Sequence, residues 1–244
     1  MTSSLDDRIA RATELAETYP SASSLLNFYR QLALFQKQVF SDVKSRGETD
    51  VRALGRYFPA LIELVRALGP DQLAESSSAL TEDLLAEQWQ GTADYDPSGK
   101  FFARVLLQPY AEYLATRGDI RVDNTLATCP FCNARPVVAV LRGEGDGGKR
   151  SLLCSMCATE WLYRRVVCPS CGEENKDKLP IYIAAGLDYV RVDACDNCQT
   201  YLKAVDLTKN GHAVPVVDEI ATVALNIWAE EHGYSKLEPN LLGM

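Results

Sequence analysis

Apolar residues recur at three- and four-residue spacing through the first half of the chain, between residues 5 and 118. One stripe contains Leu25, Phe28 and Leu32, and Gly47 follows its last apolar position. This spacing places apolar side chains on one face of a helix, and a glycine after the stripe is typical of a helix end. The first half is therefore predicted to be helical. The predicted helices span residues 5–18, 22–45, 50–68, 71–90 and 98–117.

Between the last two of these helices, residues 91–99 form a polar segment that contains Asp94, Asp96 and Pro97. Two carboxylates in one loop are also found in cation sites. Because no further acidic residue follows at the spacing of a metal loop, we expect a solvated helix connection instead.

The pattern changes after a polar linker at residues 119–128. Short runs rich in valine, isoleucine and tyrosine replace the helical stripe, and such runs between turn-forming residues are typical of strands. The glycine-rich segment 142–150 is predicted to be a turn. The strand candidates are residues 136–141, 151–153, 181–183, 189–192 and 201–207.

A final apolar stripe predicts a helix over residues 217–232. Such a stripe is far more often core than a partner-binding surface, so we expect it to pack on the β-rich segment or on the helices. Its apolar positions are Ile220, Val223, Ala224, Ile227 and Trp228.

All eight cysteines fall into four C-x-x-C pairs, and no thiol is left over. Each such turn directs two thiolates to one side, so two turns facing each other make a tetrahedral cage for zinc or iron. Intervals of 21, 10 and 23 residues separate successive pairs. Each long interval can hold a hairpin, which favours pairing the first turn with the second and the third with the fourth. The two predicted sites are Cys129, Cys132, Cys154 and Cys157, and Cys168, Cys171, Cys195 and Cys198.

The residues inside and after the turns agree in part with this chemistry. Backbone N–H groups can donate to sulfur when the residue after the second cysteine adopts a positive φ, which glycine and asparagine do most readily. Pro130 and Pro169 preset φ within their turns, as in zinc-ribbon and rubredoxin knuckles. The residues that follow the second cysteine of each turn are Asn133, Ala158, Gly172 and Gln199. Two of these four residues meet this requirement well.

Two other interpretations compete with metal binding. A lone C-x-x-C is typical of a thioredoxin-like redox pair, but four pairs within 70 residues favour metal. A disulfide framework is expected in exported proteins. The first residues, MTSSLDDRIARATELAE, contain acidic side chains and no apolar run, so we expect no secretory signal and reduced thiols. Closed four-cysteine sites lack an open coordination position, which favours a structural role.

These patterns predict an α+β fold in which metal replaces part of the core of two small β modules. An N-terminal all-helical domain precedes two tandem rubredoxin-like or zinc-ribbon modules and a C-terminal helix. The predicted boundaries are 1–118 for the helical domain, 119–128 for the linker, 129–160 and 161–210 for the two ribbons, and 211–244 for the C-terminal helix and tail.

The formal charge and its distribution along the chain disfavour one class of function. The chain has 244 residues and a formal charge of −8, and no apolar run approaches the roughly 20 residues of a membrane helix. Residues 1–128 carry −5, residues 129–205 carry +1 and residues 206–244 carry −4. Four thiolates around a divalent cation leave about −2 at each site. A general nucleic-acid binder, which neutralises phosphates, is therefore disfavoured.

Several segments resemble the FdhE family of formate dehydrogenase accessory (formation) proteins. The strongest are LCSMCATEWLYRRVVCPSCG at residues 153–172 and RVDACDNCQTYLKAVDL at residues 191–207. YFPALIEL from Tyr57 and FFARVLLQPYAEYLA from Phe101 resemble the helical half of that family. The resemblance spans most of the chain, and its four-pair cysteine layout is much more specific than a generic ribbon.

The resemblance implies a non-enzymatic assembly factor in the cytoplasm. Such a factor would bind the catalytic subunit of a respiratory formate dehydrogenase and support its activation before export. It also implies two metal ions, zinc or iron. An iron-linked redox or metallochaperone role for the C-x-x-C sites stays open as an alternative, and a nucleic-acid-binding ribbon is a weaker one. The sequence leaves the oligomeric state open.

The residues themselves also favour a binder over an enzyme. His212 and His232 are the only histidines and neither adjoins a cysteine pair, so no nucleophile and base stand out. Trp161 is expected to fill the apolar space between the ribbons, and Glu160 is expected to form an ion pair with Arg164 or Arg165. Residues that flank the cysteine pairs are the candidate partner contacts, because tyrosine and arginine are favoured at interfaces. They are Glu160, Trp161, Arg191, Asp193, Tyr201 and Lys203.

Overall fold

A computed structural model describes residues 4–75, 80–92, 97–118, 125–145 and 147–244. The predicted loop carboxylates Asp94 and Asp96 lie outside the described residues, as does part of the predicted linker. The first half is helical, as the apolar spacing predicts. Its helices are α1 (Leu5–Thr18), α2 (Ser23–Arg46), α3 (Phe58–Leu68), α4 (Asp71–Glu75), α5 (Glu82–Gln90) and α6 (Pro97–Ala115).

Local capping residues determine where these helices begin and end. The Ser4 hydroxyl accepts the N–H of Asp7, and the Asp7 carboxylate accepts the N–H of Ser4, so a capping box starts α1. Gly47 ends α2 with a φ of 62°, a left-handed conformation that favours glycine. Thr81 caps α5 by accepting the N–H of Leu84, so the predicted single helix over 71–90 is two helices. Residues 51–57 of the predicted helix 50–68 form a 3-10 helix.

α6 carries Pro109 in its interior. A proline has no N–H, so the carbonyl of Val105, four residues earlier, loses its helical partner. The side chain of the buried Gln36 on α2 donates to that carbonyl at 3.0 Å and so satisfies it. This bond joins two of the longest helices at the centre of the helical core.

One mixed sheet of seven strands forms the second half, in the order β3-β2-β1-β6-β5-β4, with β7 paired to β6. β1 and β6 run parallel, and their pairing joins two antiparallel groups into a single sheet. The two ribbons predicted from the cysteines therefore share one sheet. The strands are β1 (Pro136–Glu144), β2 (Gly147–Cys154), β3 (Glu160–Tyr163), β4 (Ile181–Ile183), β5 (Val190–Cys195), β6 (Thr200–Asp206) and β7 (Ser235–Lys236).

Each strand candidate from the sequence overlaps a strand, whereas β3 and β7 were not predicted. The predicted turn at 142–150 is shorter than expected. β1 continues to Glu144 and β2 begins at Gly147, so most of this glycine-rich segment belongs to the β1–β2 hairpin. Cross-strand pairing therefore outweighs the turn propensity of its glycines.

The C-terminal segment is helical as predicted, but it forms two helices, α7 (Pro215–Ala221) and α8 (Val223–Glu231). The backbone at Thr222 leaves the helical conformation and rotates the buried face of α8. Ile227 and Ala224 of the predicted stripe are therefore exposed, and Leu225 and Ala229 are buried instead.

α7 connects the helical half to the sheet. The Arg11 guanidinium on α1 donates two hydrogen bonds, of 3.1 and 2.6 Å, to the buried carboxylate of Asp218. The hydroxyl of Tyr189, beside β5, donates to the same carboxylate at 2.9 Å. Val217 and Ile220 of α7 pack into the helical core. None of the helices within the described ranges is both long and apolar enough to cross a membrane.

Candidate metal centres

The four C-x-x-C turns share one backbone feature. The residue after the second cysteine adopts a positive φ in every turn, at 61° for Asn133, 53° for Ala158, 77° for Gly172 and 53° for Gln199. Among the non-glycine residues that the structure describes, only these turn positions have a positive φ. An alanine in this region is strained. The knuckle conformation is therefore maintained even where the side chain opposes it.

The first cluster brings together Cys129, Cys132, Cys154 and Cys157, as the spacing predicts. The Sγ–Sγ distances are 3.5 Å from Cys129 to Cys157, 3.4 Å from Cys132 to Cys154 and 3.5 Å from Cys132 to Cys157. Backbone N–H groups within the turns point at sulfur, for example that of Phe131 to Cys129 at 3.4 Å. Three of the four cysteines are buried.

Helix α6 holds this cluster against the helical half. The Gln108 side chain donates to the carbonyl of Ser155, inside the second turn, at 2.8 Å. Trp161 is buried beside the sulfurs, and its indole N–H donates to the carbonyl of Leu126 at 2.8 Å. The first cluster therefore lies at the junction between helices and sheet.

The second cluster brings together Cys168, Cys171, Cys195 and Cys198. The Sγ–Sγ distances are 3.7 Å from Cys168 to Cys198 and 3.7 Å from Cys171 to Cys195. This cluster is less enclosed than the first, because Cys171 is exposed and Cys198 is half-buried.

These distances fit a tetrahedral metal better than a disulfide. A tetrahedron with metal–sulfur bonds of about 2.3 Å has edges of about 3.8 Å, whereas a disulfide joins its sulfurs at about 2.05 Å. All eight cysteines are free thiols, and the four sulfurs of each cluster lie within 4.8 Å of one another. The donor set is therefore suited to one zinc or iron ion in each cluster.

Proton sharing among the thiols perturbs their pKa values. Hydrogen bonds with neighbouring thiols lower the pKa of Cys129 and raise that of Cys154. Burial tends to raise the pKa of Cys198, but hydrogen bonds, first from the Thr200 hydroxyl, lower it to about 6. Burial raises the pKa of Cys168 in the same cluster. Each cluster thus has thiols that ionise readily and thiols that retain protons. A divalent cation must displace those protons, so its affinity rises with pH.

A threonine contacts sulfur in each cluster, and neither threonine is among the site residues predicted from the sequence. The Thr159 hydroxyl lies 3.1 Å from Cys157 Sγ, and the Thr200 hydroxyl lies 2.9 Å from Cys198 Sγ. The signal was the repeated motif C-x-x-C-x-T in the second and fourth turns, CSMCAT and CDNCQT. The Cys157 thiol donates to the Thr159 hydroxyl, and either group can donate in the Cys198–Thr200 pair. Once a metal has displaced the thiol protons, a neighbouring hydroxyl can donate to the thiolate and orient that ligand.

Several candidate partner contacts lie inside the protein. Tyr201 and Lys203 are fully buried, and neither offers a docking surface in this structure. Glu160 pairs with Arg142 at 2.7 Å, not with Arg164 or Arg165 as expected, because β3 runs beside the β1–β2 hairpin. Two further candidates, Arg191 and Asp193, lie on one face of β5. The Arg191 Nε lies 2.8 Å from the Asp193 carboxylate, so the two side chains form an ion pair.

A buried ion network surrounds Lys203. Its ammonium lies 2.8 Å from the Glu219 carboxylate and donates to main-chain oxygens at the end of α7. Lys236 also donates to Glu219, as does the Asn240 amide at 2.7 Å. Burial tends to raise the pKa of Glu219, but the two ammonium groups outweigh it and lower the pKa to about 2. Lys203 therefore fixes α7 to the sheet.

Family models of two FdhE domains match the β-rich half of the chain. The FdhE central domain matches residues 128–165, and the FdhE C-terminal domain matches residues 166–242. Each matched segment contains one cysteine cluster.

Relatives extend the similarity to the helical half. The FdhE homologue of Aquifex aeolicus is 29% identical over a gapped alignment of 263 positions that covers 96% of this chain and 93% of the relative. The homologue of Pseudomonas aeruginosa is 37% identical over 76% of this chain and 63% of the relative. The crystal structure of the P. aeruginosa FdhE protein superposes with a TM-score of 0.74 at 23% identity, over 99% of this chain and 97% of that one.

Proposed function

Since the chain belongs to the FdhE family, we propose that it is a maturation factor for a formate dehydrogenase. In this proposal it binds the catalytic subunit in the cytoplasm, before export, and supports its activation without catalysing a reaction. The observation that carries the proposal is the pair of closed four-sulfur clusters in one continuous sheet. Closed sites give a rigid scaffold and leave no coordination position for a substrate.

In the loaded protein, Cys129, Cys132, Cys154 and Cys157 would hold one ion. The other cysteine cluster would hold the second. Zinc would cross-link the turns and contribute to folding, and iron would add the capacity for one-electron transfer. The cluster geometry supports either metal, because both accept a tetrahedral sulfur cage at nearly the same distances.

Co-purification tests this proposal directly. A tagged copy of the chain is expressed with a formate dehydrogenase catalytic subunit of the same organism, and the captured material is analysed by mass spectrometry. We expect the subunit to be captured, and formate dehydrogenase activity to fall when the chain is deleted. Full activity in the deletion strain, together with no capture, would refute the proposal.

Cysteine substitutions test the structural role of the metals. We expect Cys129→Ser combined with Cys132→Ser to unfold the first cluster, because metal supplies folding energy to small β modules. Circular dichroism and metal content would detect this. A folded double variant that still supports activation would contradict a structural role for the first ion.

A second function is favoured by the exposure of Cys171 in the second cluster. An accessible sulfur can be oxidised, and oxidation would release metal, so this cluster suits an iron-linked redox or metallochaperone role. The protein is purified without oxygen, and its visible spectrum and metal content are measured. Iron in the second cluster that transfers to the client would support this role, and stoichiometric, colourless zinc would exclude it.

A further inference from the structure

A cavity of about 230 Å³ lies beside the second cysteine cluster. Cys168 and Cys195, one from each turn of that cluster, contribute to its wall. Leu202 of β6 and Leu237 after β7 line it from the sheet. The scaffold role proposed above does not use this cavity.

The cavity has an apolar lining and the size of one large side chain. Val167, Leu179 and Leu202 are among its apolar lining residues. A cavity of about 150 Å³ already accommodates benzene, so 230 Å³ accepts a phenylalanine or leucine side chain. It is smaller than the roughly 300–1,000 Å³ of pockets that bind drug-sized molecules.

Positive charge surrounds this apolar space. Among the described lining residues, four are cationic and one, Asp193, is acidic. Asp193 is already engaged by Arg150 at 3.4 Å and by Arg191 at 2.8 Å. The four cationic residues are Arg150, Arg165, Lys176 and Arg191.

Two of these cations are available to a ligand. Arg165 is exposed and donates to the main-chain oxygen of Gly148 at 3.2 Å, and Lys176 is also exposed. Within the described part of the chain, no carboxylate forms an ion pair with either side chain. The four cations outweigh Asp193 and the charge of about −2 on the loaded second cluster, so this region is locally positive on a chain with a net charge of −8.

Exposed apolar side chains continue outward from the cavity. Val166 and Ile181 line it and are 51% and 52% exposed. Ile183, two residues further along β4, is 55% exposed. Ile181 and Ile183 lie opposite Asp193 and Arg191 on β5, so they share the face that carries the cavity.

We propose that this cavity and its rim bind an extended peptide segment of a partner protein that carries one large apolar side chain next to carboxylates. The apolar side chain fills the cavity, and the carboxylates pair with Arg165 and Lys176. Ile181, Ile183 and Val166 cover the neighbouring part of the segment. This inference rests on the proposed function in one respect, because the client is the protein expected to supply the segment.

Two other ligands fit the surface less well. A small anion would use the cations but would leave the exposed apolar rim uncovered. A nucleic acid would need a longer track of cations than the four around this cavity, and the net charge of −8 repels its phosphates. A peptide uses both the charge and the apolar area.

Fluorescence anisotropy with the metal-loaded, full-length protein tests the inference. The probe is a labelled nonapeptide with one phenylalanine between two glutamates in a glycine–serine background. A second probe has lysines in place of the glutamates. We expect the glutamate peptide to bind at least tenfold more tightly than the lysine peptide. Equal affinities for the two peptides would overturn the proposal.

Matched substitutions locate the binding. Ile181→Asp removes apolar rim area, and its control is Ile227→Asp, because Ile227 on α8 is 54% exposed. Arg165→Glu reverses a cavity charge, and its control is Lys209→Glu, since Lys209 is likewise exposed and donates to a main-chain oxygen. We expect at least fivefold weaker binding for each cavity variant and unchanged binding for each control.

Two outcomes would overturn the proposal. Equal effects of cavity and control variants would overturn the assignment to this cavity. Displacement of the peptide by a short single-stranded oligonucleotide that binds more tightly would show a phosphate ligand and overturn the carboxylate assignment. Circular dichroism and metal content establish that each variant is folded.

Client capture separates this inference from the proposed function. If Ile181→Asp abolishes peptide binding while the formate dehydrogenase subunit is still captured, the cavity is not the client site and the maturation role stands. If the unmodified protein binds the peptide and captures no client, the proposed function fails and the peptide site stands.

Discussion

Replacing Glu219 by glutamine tests the buried network that holds α7 on the sheet. Glu219 and Lys203 are both fully buried, and Lys236 completes the ion network. Glu219→Gln preserves the shape of the side chain and removes its charge. Two ammonium groups would then face a neutral amide in a site from which water is excluded.

The expected cost follows from the perturbed pKa of Glu219. The ammonium groups outweigh burial and lower this pKa from 4.5 to about 2, which corresponds to about 3 kcal/mol at neutral pH. Removing one partner of a buried ion pair costs roughly 3–5 kcal/mol in proteins. We therefore expect Glu219→Gln to lower the free energy of unfolding by about 3 kcal/mol.

Urea unfolding of the metal-loaded protein at pH 7, followed by circular dichroism, measures this change. The control is Asp83→Asn, which removes the partner of Arg52 in an exposed ion pair and should change stability by less than about 1 kcal/mol. Combining Glu219→Gln with Lys203→Met removes charge from both partners. We expect the double variant to lose at least about 1 kcal/mol less free energy of unfolding than the sum of the losses of the two single variants. A cost below about 1 kcal/mol for Glu219→Gln would refute the reasoning.

The same substitution has a defined pH dependence. The pKa of Glu219 in the folded protein, about 2, lies below its ordinary value of 4.5. Its contribution is therefore complete above pH 4.5 and disappears as the pH falls towards 2. The stability difference between the unmodified protein and Glu219→Gln should be constant from pH 7 to 5 and shrink below 4.5. Metal loss in acid affects both proteins and should largely cancel in the difference.

Further substitutions probe the clusters and the helical core. Thr200→Val should weaken zinc binding at the second cluster by about tenfold, as measured by chelator competition, because a hydrogen bond to the thiolate is lost. Ala158→Gly should raise stability by up to about 1 kcal/mol in urea unfolding, since glycine adopts the positive φ without strain. Gln36→Leu should cost about 1–3 kcal/mol by leaving the carbonyl of Val105 without a donor, whereas the exposed Gln38→Leu should be nearly neutral.

Local patterns in the sequence determined the class of each segment. Apolar spacing identified the helical half, since helical periodicity is visible within a few turns of chain. The intervals between C-x-x-C turns determined which turns meet, because a hairpin returns its ends to one place. Gly47 indicated the end of α2, and its left-handed backbone confirms the interpretation. These features depend on neighbours in sequence.

Tertiary structure decided how those segments combine. The parallel pairing of β1 with β6 merges the two ribbons into one sheet, and it joins strands separated by more than 50 residues. The same assembly buries Lys203 and moves the partner of Glu160 to Arg142. No local periodicity encodes such pairings, because their free energy arises from surfaces that meet only in the folded chain. The sequence by itself therefore determined most of the elements and the grouping of the eight cysteines into two clusters, and the packing of distant segments decided which side chains face water.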